Sequence, residues 1–282
     1  MRIGVVGATG VLGRQVIPRL IERGHAVRAL VRKASDVSRL RSLGVDAVAG
    51  DILDADSLRQ GLAGCEVALH LATAIPTAGS PMDWSLNDRI RREGTANLLH
   101  ACRELSIARY VQQSIAHLVA DGSGNLLDEG APIRRTAINA SAADMEMQVQ
   151  VSGLRWTILR GGAFYGPYTG RDEQWRSGAR SGTLRLPPNA SGYLSLVHVA
   201  DMADALVLAV DVSPDQATLN IVDDKPVTYL ELFHYLAHLE AGPEPEPGGP
   251  PTPWPAFRVC NVRARALLGW QPRFATYRSG FI

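Results

Sequence analysis

The sequence predicts an α/β fold, a doubly wound parallel sheet of the Rossmann type with a small C-terminal substrate-binding region. Two observations carry this prediction. The first half of the chain alternates short apolar runs with stretches of helical periodicity, and a glycine-rich turn joins the first such strand to the first helix. The alternation weakens after about residue 160. We therefore predict a nucleotide-binding domain over 1–160 and a mainly substrate-binding region over 161–282, with segments that return to the first domain.

The first strand is expected at Ile3–Val6, and the helix after it spans Gly10–Arg23 because apolar residues recur there every three or four positions. Gly24 would end this helix. Further strands of the first domain are predicted at His25–Val31, Asp46–Ala49, Val67–Leu71, Ala108–Gln113 and Trp156–Leu159. Its further helices are predicted at Asp36–Leu43, Asp54–Leu62, Ile90–Leu105 and Ala140–Val151. Beyond it we predict helices at Asp201–Val210 and Tyr229–Leu239, a strand at Thr218–Val222 and a proline-rich loop over 242–255.

Composition narrows the functional class. The chain has 282 residues, 29 Lys+Arg against 28 Asp+Glu and 46% hydrophobic residues, which suits two average domains or one long one and argues against a disordered or nucleic-acid-binding protein. No apolar run approaches the roughly 18 residues that cross a bilayer, so we expect no membrane association. Cys65, Cys102 and Cys260 are distant and odd in number, which favours neither disulfides nor a metal site. A reducing, cytoplasmic location is expected.

The glycine-rich turn has the spacing G-x-x-G-x-x-G over 7–13. Glycines at such a turn let backbone N–H groups approach a pyrophosphate, whose charge is favoured by the helix N-terminus. We predict that this loop binds the phosphates of a dinucleotide through Gly7, Thr9, Gly10, Val11, Leu12 and Gly13. The alternative is a tight turn with no ligand.

The choice of nucleotide depends on the end of the second strand. An acidic residue there would bind the ribose 2′-hydroxyl of NAD, but this strand ends in Arg32 and Lys33, and Asp36 comes too late. A guanidinium suits a 2′-phosphate, so Arg32 favours NADP(H), with NAD(H) still possible. The alternative for Arg32 is a solvated basic surface.

Later motifs complete a pattern in the expected order. They are Gly50-Asp51-Ile52, His70-Leu71-Ala72-Thr73, Gly94-Thr95-Ala96-Asn97-Leu98-Leu99, the segment 156–167 ending in Phe164-Tyr165-Gly166-Pro167, Val197-His198-Val199-Ala200-Asp201 and Leu268-Gly269-Trp270-Gln271-Pro272. Together with the glycine loop they make the chain resemble, over nearly its whole length, the extended or atypical short-chain dehydrogenase/reductase superfamily of the NAD(P)-dependent epimerase/dehydratase type. Arg91 stands where many members have Asn.

The resemblance implies roles for further residues. It places Asp51 and Ile52 at the adenine, and it places Leu71, Ala72 and Thr73 along the ribose. It also places four residues after the sixth strand beside the nicotinamide: Gly161, Gly162, Ala163 and Phe164. A small-molecule substrate and a homodimer formed through helices of the nucleotide domain are further expectations by analogy.

The family's catalytic residues are mostly missing. Members use a Ser or Thr, a Tyr, and a Lys four residues after the Tyr, and here Ser114 matches the hydroxyl position while Ile138 and Ala142 occupy the Tyr and Lys positions. Tyrosine is absent between Tyr110 and Tyr165, so no shift of alignment recovers the pair. Ketone reduction driven by Tyr and Lys is therefore not expected. Ser114 is the remaining candidate catalytic residue, and the alternative is a polar wall residue without a partner. Replacement acids or bases could come from His117, His198, Asp144 or Glu146, although we expect the last two to face solvent or the preceding loop.

Two functions fit this pattern. The first is an atypical NAD(P)-dependent enzyme that acts on a small metabolite as a reductase, epimerase or dehydratase with nonstandard acid/base chemistry. The alternative is a catalytically silent NADP(H) sensor. In the segment 168–195, an arginine (Arg171, Arg176 or Arg180) and Trp175 could recognise an anionic or aromatic ligand, or these side chains could simply pack or be solvated at the surface.

Overall fold

The computed structural model describes residues 1–76, 83–252 and 254–281. A seven-stranded sheet is built from β1 Arg2–Val6, β2 Ala26–Val31, β3 Asp46–Ala49, β4 Val67–His70, β5 Arg109–Ile115, β6 Arg155–Gly161 and β10 Ala217–Ile221. The strand order across this sheet is β3-β2-β1-β4-β5-β6-β10. Four short strands lie outside it: β7 Ala163–Tyr165, β8 Tyr193–Leu194, β9 Leu196–His198 and β11 Val227–Thr228.

The described helices alternate with the strands over most of the first half of the chain. They are α1 Val11–Glu22, α2 Ala34–Ser42, α3 Ala55–Leu62, α4 Ser85–Arg89, α5 Thr95–Glu104, α6 Ala140–Gln150, α7 Arg171–Arg180, α8 Val199–Val212, α9 Tyr229–Leu239, α10 Val262–Leu268 and α11 Tyr277–Gly280. A π-helical turn, Ile90–Gly94, joins α4 to α5, and a 3₁₀ turn, Ala116–Val119, follows β5. The predicted doubly wound α/β fold is confirmed.

The position of β1 within the sheet creates the place where a ligand can bind. β1 pairs in parallel with β2 on one side and with β4 on the other, so that Val6 lies opposite both Leu30 and His70. The strand order reverses its direction between β1 and β4. In open sheets of this kind, ligands bind in the crevice outside the carboxyl ends of the strands at such a switch point. The loops after β1 and after β4 therefore define the site to be considered.

The chain divides into two compact units, each with a hydrophobic core. The first unit comprises 1–114, 136–159 and 203–218. The second comprises 115–135, 160–202 and 219–282. Leu58, Leu62 and Leu98 are fully buried in the core of the first unit, whereas the core of the second includes Tyr165 stacked on Phe281 at 4.7 Å between ring centroids. The functional division into 1–160 and 161–282 stays a prediction.

The structure departs from the predicted elements mainly where short pieces interrupt a pattern. The helix predicted at Ile90–Leu105 is α5 preceded by the π-helical turn, because a π turn adds one residue without removing the apolar periodicity. The predicted set lacks α4 and the elements β7, α7, β8, β9, β11, α10 and α11. The proline-rich segment 242–255 forms no helix or strand in its described part, as expected, and residue 253 lies outside the described residues.

Among the described helices, none is both long and apolar enough to cross a membrane.

Candidate functional site

The loop after β1 requires glycine at two of its three spaced positions. Gly7 has φ +93°, and a Cβ there would lie 2.5 Å from the backbone N of Ala72. A Cβ on Gly13 would lie 2.4 Å from the Ala8 carbonyl oxygen. Gly10 N–H donates to the Gly7 carbonyl over 3.1 Å and closes the turn. Gly7 thus lets the loop pass against the segment that follows β4, which brings the two predicted binding segments together.

The N-terminus of α1 offers unpaired donors. The first bond within the helix joins Arg14 N to Gly10 O at 3.1 Å, so the N–H groups of Val11, Leu12 and Gly13 have no acceptor inside the helix. Gly10 supplies no capping side chain, and the first turn contains no acidic residue. The loop is braced instead by Arg14 Nε, which donates to the Thr9 carbonyl at 2.9 Å. Backbone donors, the helix dipole and the absence of local negative charge fit a bound pyrophosphate.

Arg32 lies immediately after β2 and is exposed. Within the described part of the chain it has no hydrogen-bond or ion-pair partner. Its neighbour Lys33 occupies the N-cap of α2 without a capping hydrogen bond, and Asp36 pairs with Arg39 at 3.3 Å. The end of β2 therefore presents two cations and no carboxylate that could bind a ribose 2′-hydroxyl directly at the strand end.

The loops after β3 and β4 are firmly held. Asp51 donates its backbone N–H to Ser57 Oγ at 2.9 Å, and its carboxylate accepts the Leu53 N–H at 3.0 Å. Ile52 is buried, and its carbonyl accepts from Asn97 Nδ2 at 3.2 Å. After β4, the Leu71 N–H donates to the Val6 carbonyl at 2.8 Å, while Ala72 is half-buried and Thr73 exposed. The segment after β4 lies at the switch point, whereas β3 is the edge strand of the sheet. The contacts with adenine and ribose that the resemblance implies for these residues stay predictions.

The four residues predicted beside the nicotinamide belong to the second unit. Gly162 N–H donates to Ile221 O at 3.0 Å and Ala163 N–H donates to Ser195 O at 2.9 Å, so both donors are engaged within that unit. A Cβ on Gly161 would lie 2.4 Å from the half-buried Phe164 ring. Their predicted contact with a nicotinamide stays a prediction.

Ser114 has a partner that the sequence did not reveal. Its hydroxyl donates to Glu146 Oε1 at 2.6 Å, and both side chains are buried, at 1% and 0% exposure. The expectation of a Ser114 without a partner is therefore wrong, as is the expectation that Glu146 faces solvent or the preceding loop. In this structure the hydroxyl proton is donated to a buried carboxylate. Asp144, by contrast, is partly exposed and pairs with Arg92 at 2.7 Å.

The positions that the family gives to Tyr and Lys contain only hydrocarbon. Ile138 is half-buried before α6, and Ala142 on α6 is fully buried. A cation does reach this helix from the π-helical turn: Arg91 is 5% exposed, and its Nη1 donates to Ser141 Oγ at 3.3 Å. Burial lowers the pKa of Arg91 to about 10, so the guanidinium stays charged at neutral pH.

A buried network lies at the end of β4. His70 Nδ1 is 2.9 Å from Gln112 Oε1, which also accepts from the Tyr110 hydroxyl at 2.9 Å. Because that amide oxygen can only accept, the neutral imidazole has its proton on Nδ1, and Nε2 has no partner among the described residues. Burial lowers the pKa of His70 from 6.5 to about 4. His70 is thus a neutral structural residue at physiological pH.

This network predicts a loss of stability in mild acid. Unfolded His70 takes up a proton near pH 6.5 while the folded protein resists protonation down to about pH 4, so stability falls as pH falls through that window. The full loss is about 3 kcal/mol. We expect urea unfolding at pH 7.5 and pH 5.0 to show about 2 kcal/mol of this loss, since the rest is lost only below pH 5. His70→Gln should show a shallower dependence between the same two pH values. An unchanged dependence in the variant would assign the acid sensitivity to other groups.

Among the described residues, no group of three or more His, Cys, Asp or Glu side chains could hold a metal ion, and Cys65, Cys102 and Cys260 are free thiols.

Comparison with known proteins agrees with this geometry. A family model described as NAD(P)H-binding matches residues 7–211. A 3-diazoavenalumate denitrifying reductase from a Streptomyces species is 34% identical over 305 aligned residues, which cover 99% of each chain. A 4-hydroxy-2-methyl-3-oxo-4-farnesyl-3,4-dihydroquinoline-1-oxide ketoreductase from Stigmatella aurantiaca is 28% identical over 247 residues, which cover 85% of this chain and 72% of the relative.

Solved structures share the fold. The UDP-glucose 4-epimerase of Thermus thermophilus in complex with NAD superposes with a TM-score of 0.82 at 24% identity and covers 100% of this chain and 96% of its own. A dTDP-glucose 4,6-dehydratase from Streptomyces venezuelae with NAD bound gives a TM-score of 0.86 at 19% identity, with 99% and 94% coverage. At these identities the likeness shows a common fold.

Proposed function

We propose that this chain, which belongs to the NAD(P)H-binding family within the extended short-chain dehydrogenase/reductase superfamily, reduces a small molecule that needs no proton from a protein side chain. The observation that carries this proposal is the hydrogen bond from Ser114 to Glu146. With Ile138 and Ala142 at the two other positions, none of the three family positions has a proton to give to a substrate oxygen. Reduction of a ketone leaves an alkoxide that such a proton would quench.

An arenediazonium ion would accept the electrons without that proton. The Streptomyces relative is named for the reduction of a diazo compound with removal of nitrogen. A bound nicotinamide nucleotide would supply a hydride, and an arenediazonium ion plus one hydride balances to the arene plus N₂, with no proton consumed. We therefore propose an arenediazonium compound as the substrate class.

In this proposal the chain's own residues bind and orient the nucleotide. The N–H groups of Val11, Leu12 and Gly13 would hold the pyrophosphate, and Gly7 permits the close approach of the loop to Ala72. The buried dyad of Ser114 and Glu146 would hold the end of β5 against α6.

Arg32 would select NADP(H) over NAD(H) by binding the 2′-phosphate. We expect Arg32→Gln to weaken NADPH binding roughly tenfold or more, because a charge-assisted hydrogen bond is lost, and to leave NADH binding unchanged. Calorimetric titration of the stripped protein with both nucleotides measures this. Arg263→Gln, an exposed arginine on α10, is the control. Equal losses for NADPH and NADH would remove the role from Arg32.

The substrate class is tested by turnover of 4-carboxybenzenediazonium with NADPH. We expect one NADPH oxidised per N₂ released, with benzoate as the product, at a rate above that of a Gly10→Glu variant that corrects for direct reaction with the nucleotide. A panel of ketones should not be reduced. Ketone reduction at the same rate would contradict the proposal, and NADPH binding without any turnover would favour the sensor.

A further inference from the structure

Helix α7 carries three arginines, and two of them are paired. Arg176 Nε bonds Glu240 Oε1 at a short distance, and Arg180 Nη1 bonds Glu240 Oε2 at 2.6 Å. The Glu240 side chain is only 7% exposed, so Arg176 and Arg180 both neutralise a buried carboxylate. Arg171, in the first turn, has no Asp or Glu oxygen within 4 Å among the described residues. Among the described residues, Arg171 is thus the arginine of this helix that forms no ion pair.

Aromatic rings surround Arg171. Its guanidinium lies 5.5 Å from the Trp175 ring centroid and 5.6 Å from that of Trp254, both within the cation–π range. Trp254 in turn stacks on His117 at 5.5 Å and 24° between ring planes. We call Arg171, Trp175, Trp254 and His117 the Arg171 cluster. All four residues belong to the second unit.

The rings are fixed by the protein itself. Trp254 Nε1 donates to the Tyr229 hydroxyl at 3.2 Å, and Trp175 packs edge-on against Phe233 at 5.9 Å. Arg171 Nη1 donates to the Phe164 carbonyl at 2.7 Å, which orients the guanidinium. A guanidinium has five N–H donors, and this is the one side-chain donor of Arg171 with a protein acceptor among the described residues. Its other side-chain donors have no acceptor in the part of the chain that the structure describes.

Burial makes the charged form of the Arg171 side chain less favourable than it is in water. Burial lowers the pKa of Arg171, and the charge of the adjacent Asp172 offsets this shift only in part. A partly desolvated cation gains most from an anion that can form paired hydrogen bonds with it. A carboxylate matches the guanidinium fork in shape, and the neighbouring indole rings favour a flat, conjugated group attached to that carboxylate.

We infer that the Arg171 cluster binds the carboxylate of a planar, unsaturated acid, with Arg171 pairing the carboxylate and the indole rings contacting the conjugated chain. This inference rests on the proposed function in that the acid is the small molecule to be reduced. It adds a binding site that the phosphate loop and the dyad do not provide.

The test is direct binding of an acid that cannot be reduced by this route. trans-Cinnamate and its neutral amide are titrated by calorimetry into the full-length protein loaded with NADP⁺. We expect Arg171→Gln to weaken cinnamate binding roughly tenfold to hundredfold while leaving the amide unchanged. Arg171→Lys should recover part of the affinity, and Arg263→Gln should match the unaltered protein. Thermal unfolding of each variant confirms that it is folded.

Three outcomes would overturn the inference: equal affinity for cinnamate and its amide, no effect of either Arg171 variant, or binding of UDP-glucose in place of cinnamate. Failure of the proposed function is separate from these. Loss of diazonium turnover alongside Arg171-dependent cinnamate binding would remove the reaction and keep the site. Turnover of 4-carboxybenzenediazonium with a KM unaffected by Arg171→Gln would keep the reaction and remove the site.

Discussion

Gly10→Glu should lower NADPH affinity by roughly a hundredfold or more, because it places a carboxylate at the helix N-terminus where the pyrophosphate would bind. The backbone tolerates this change. Gly10 has φ −74°, and a Cβ there meets only the Gly7 carbonyl, at 3.3 Å. The loss should therefore come from charge and bulk at the ligand and not from misfolding.

Gly10→Gln separates the two causes. Glutamine has almost the same bulk as glutamate but no charge. We therefore expect Gly10→Gln to lose much less NADPH affinity than Gly10→Glu. Calorimetric titration gives the NADPH affinity of each variant. Thermal unfolding without nucleotide should give the two variants similar unfolding temperatures. If Gly10→Glu binds NADPH as the unaltered protein does, the assignment of the phosphate loop is wrong.

Ser114→Ala is expected to cost about 2 kcal/mol of stability and to change turnover per folded molecule by less than roughly threefold. The reason is that, in the proposed function, the Ser114 hydroxyl donates its hydrogen bond to Glu146 and not to the substrate. Its removal leaves a buried carboxylate oxygen without that donor. In an enzyme that uses the family's serine, the same change would lower the rate strongly and the stability little.

The measurements are urea unfolding and steady-state rates corrected for the folded fraction. Glu146→Gln is the matched variant, since an amide oxygen can still accept from Ser114 while the charge is gone. We expect it to be less destabilised than Ser114→Ala. A hundredfold drop in kcat for Ser114→Ala at full folding would show that Ser114 is a catalytic residue.

Local signals allowed the phosphate loop and the alternating sheet to be predicted. Gly7, Gly10 and Gly13 lie within seven residues of one another, and a strand followed by a helix has a sequence periodicity of its own. The Ser114 pair could not be found in this way. Glu146 is 32 residues from Ser114, and only the packing of α6 against the end of β5 decides which helix face is buried.

Arg171 shows a similar limit. The sequence indicated an anionic or aromatic ligand for its segment, but it could not tell Arg171 from Arg176 and Arg180. The difference depends on Glu240, which is 60 residues or more away along the chain. Trp254, which completes the cluster around Arg171, is likewise remote in sequence. Charge partners of this kind are a tertiary property.

The π-helical turn Ile90–Gly94 makes the chain sensitive to length at one place. A π turn holds about one residue more than an α turn, so deleting one residue would convert it to a regular α turn and would move the residues of the turn itself around the helix axis, by about 100° per position. Arg91 would leave its buried position beside Ser141, and Arg92 would leave Asp144. Homologues that lack this residue should therefore differ at both positions together, and grafting segments between relatives across this turn must transfer the turn as a whole.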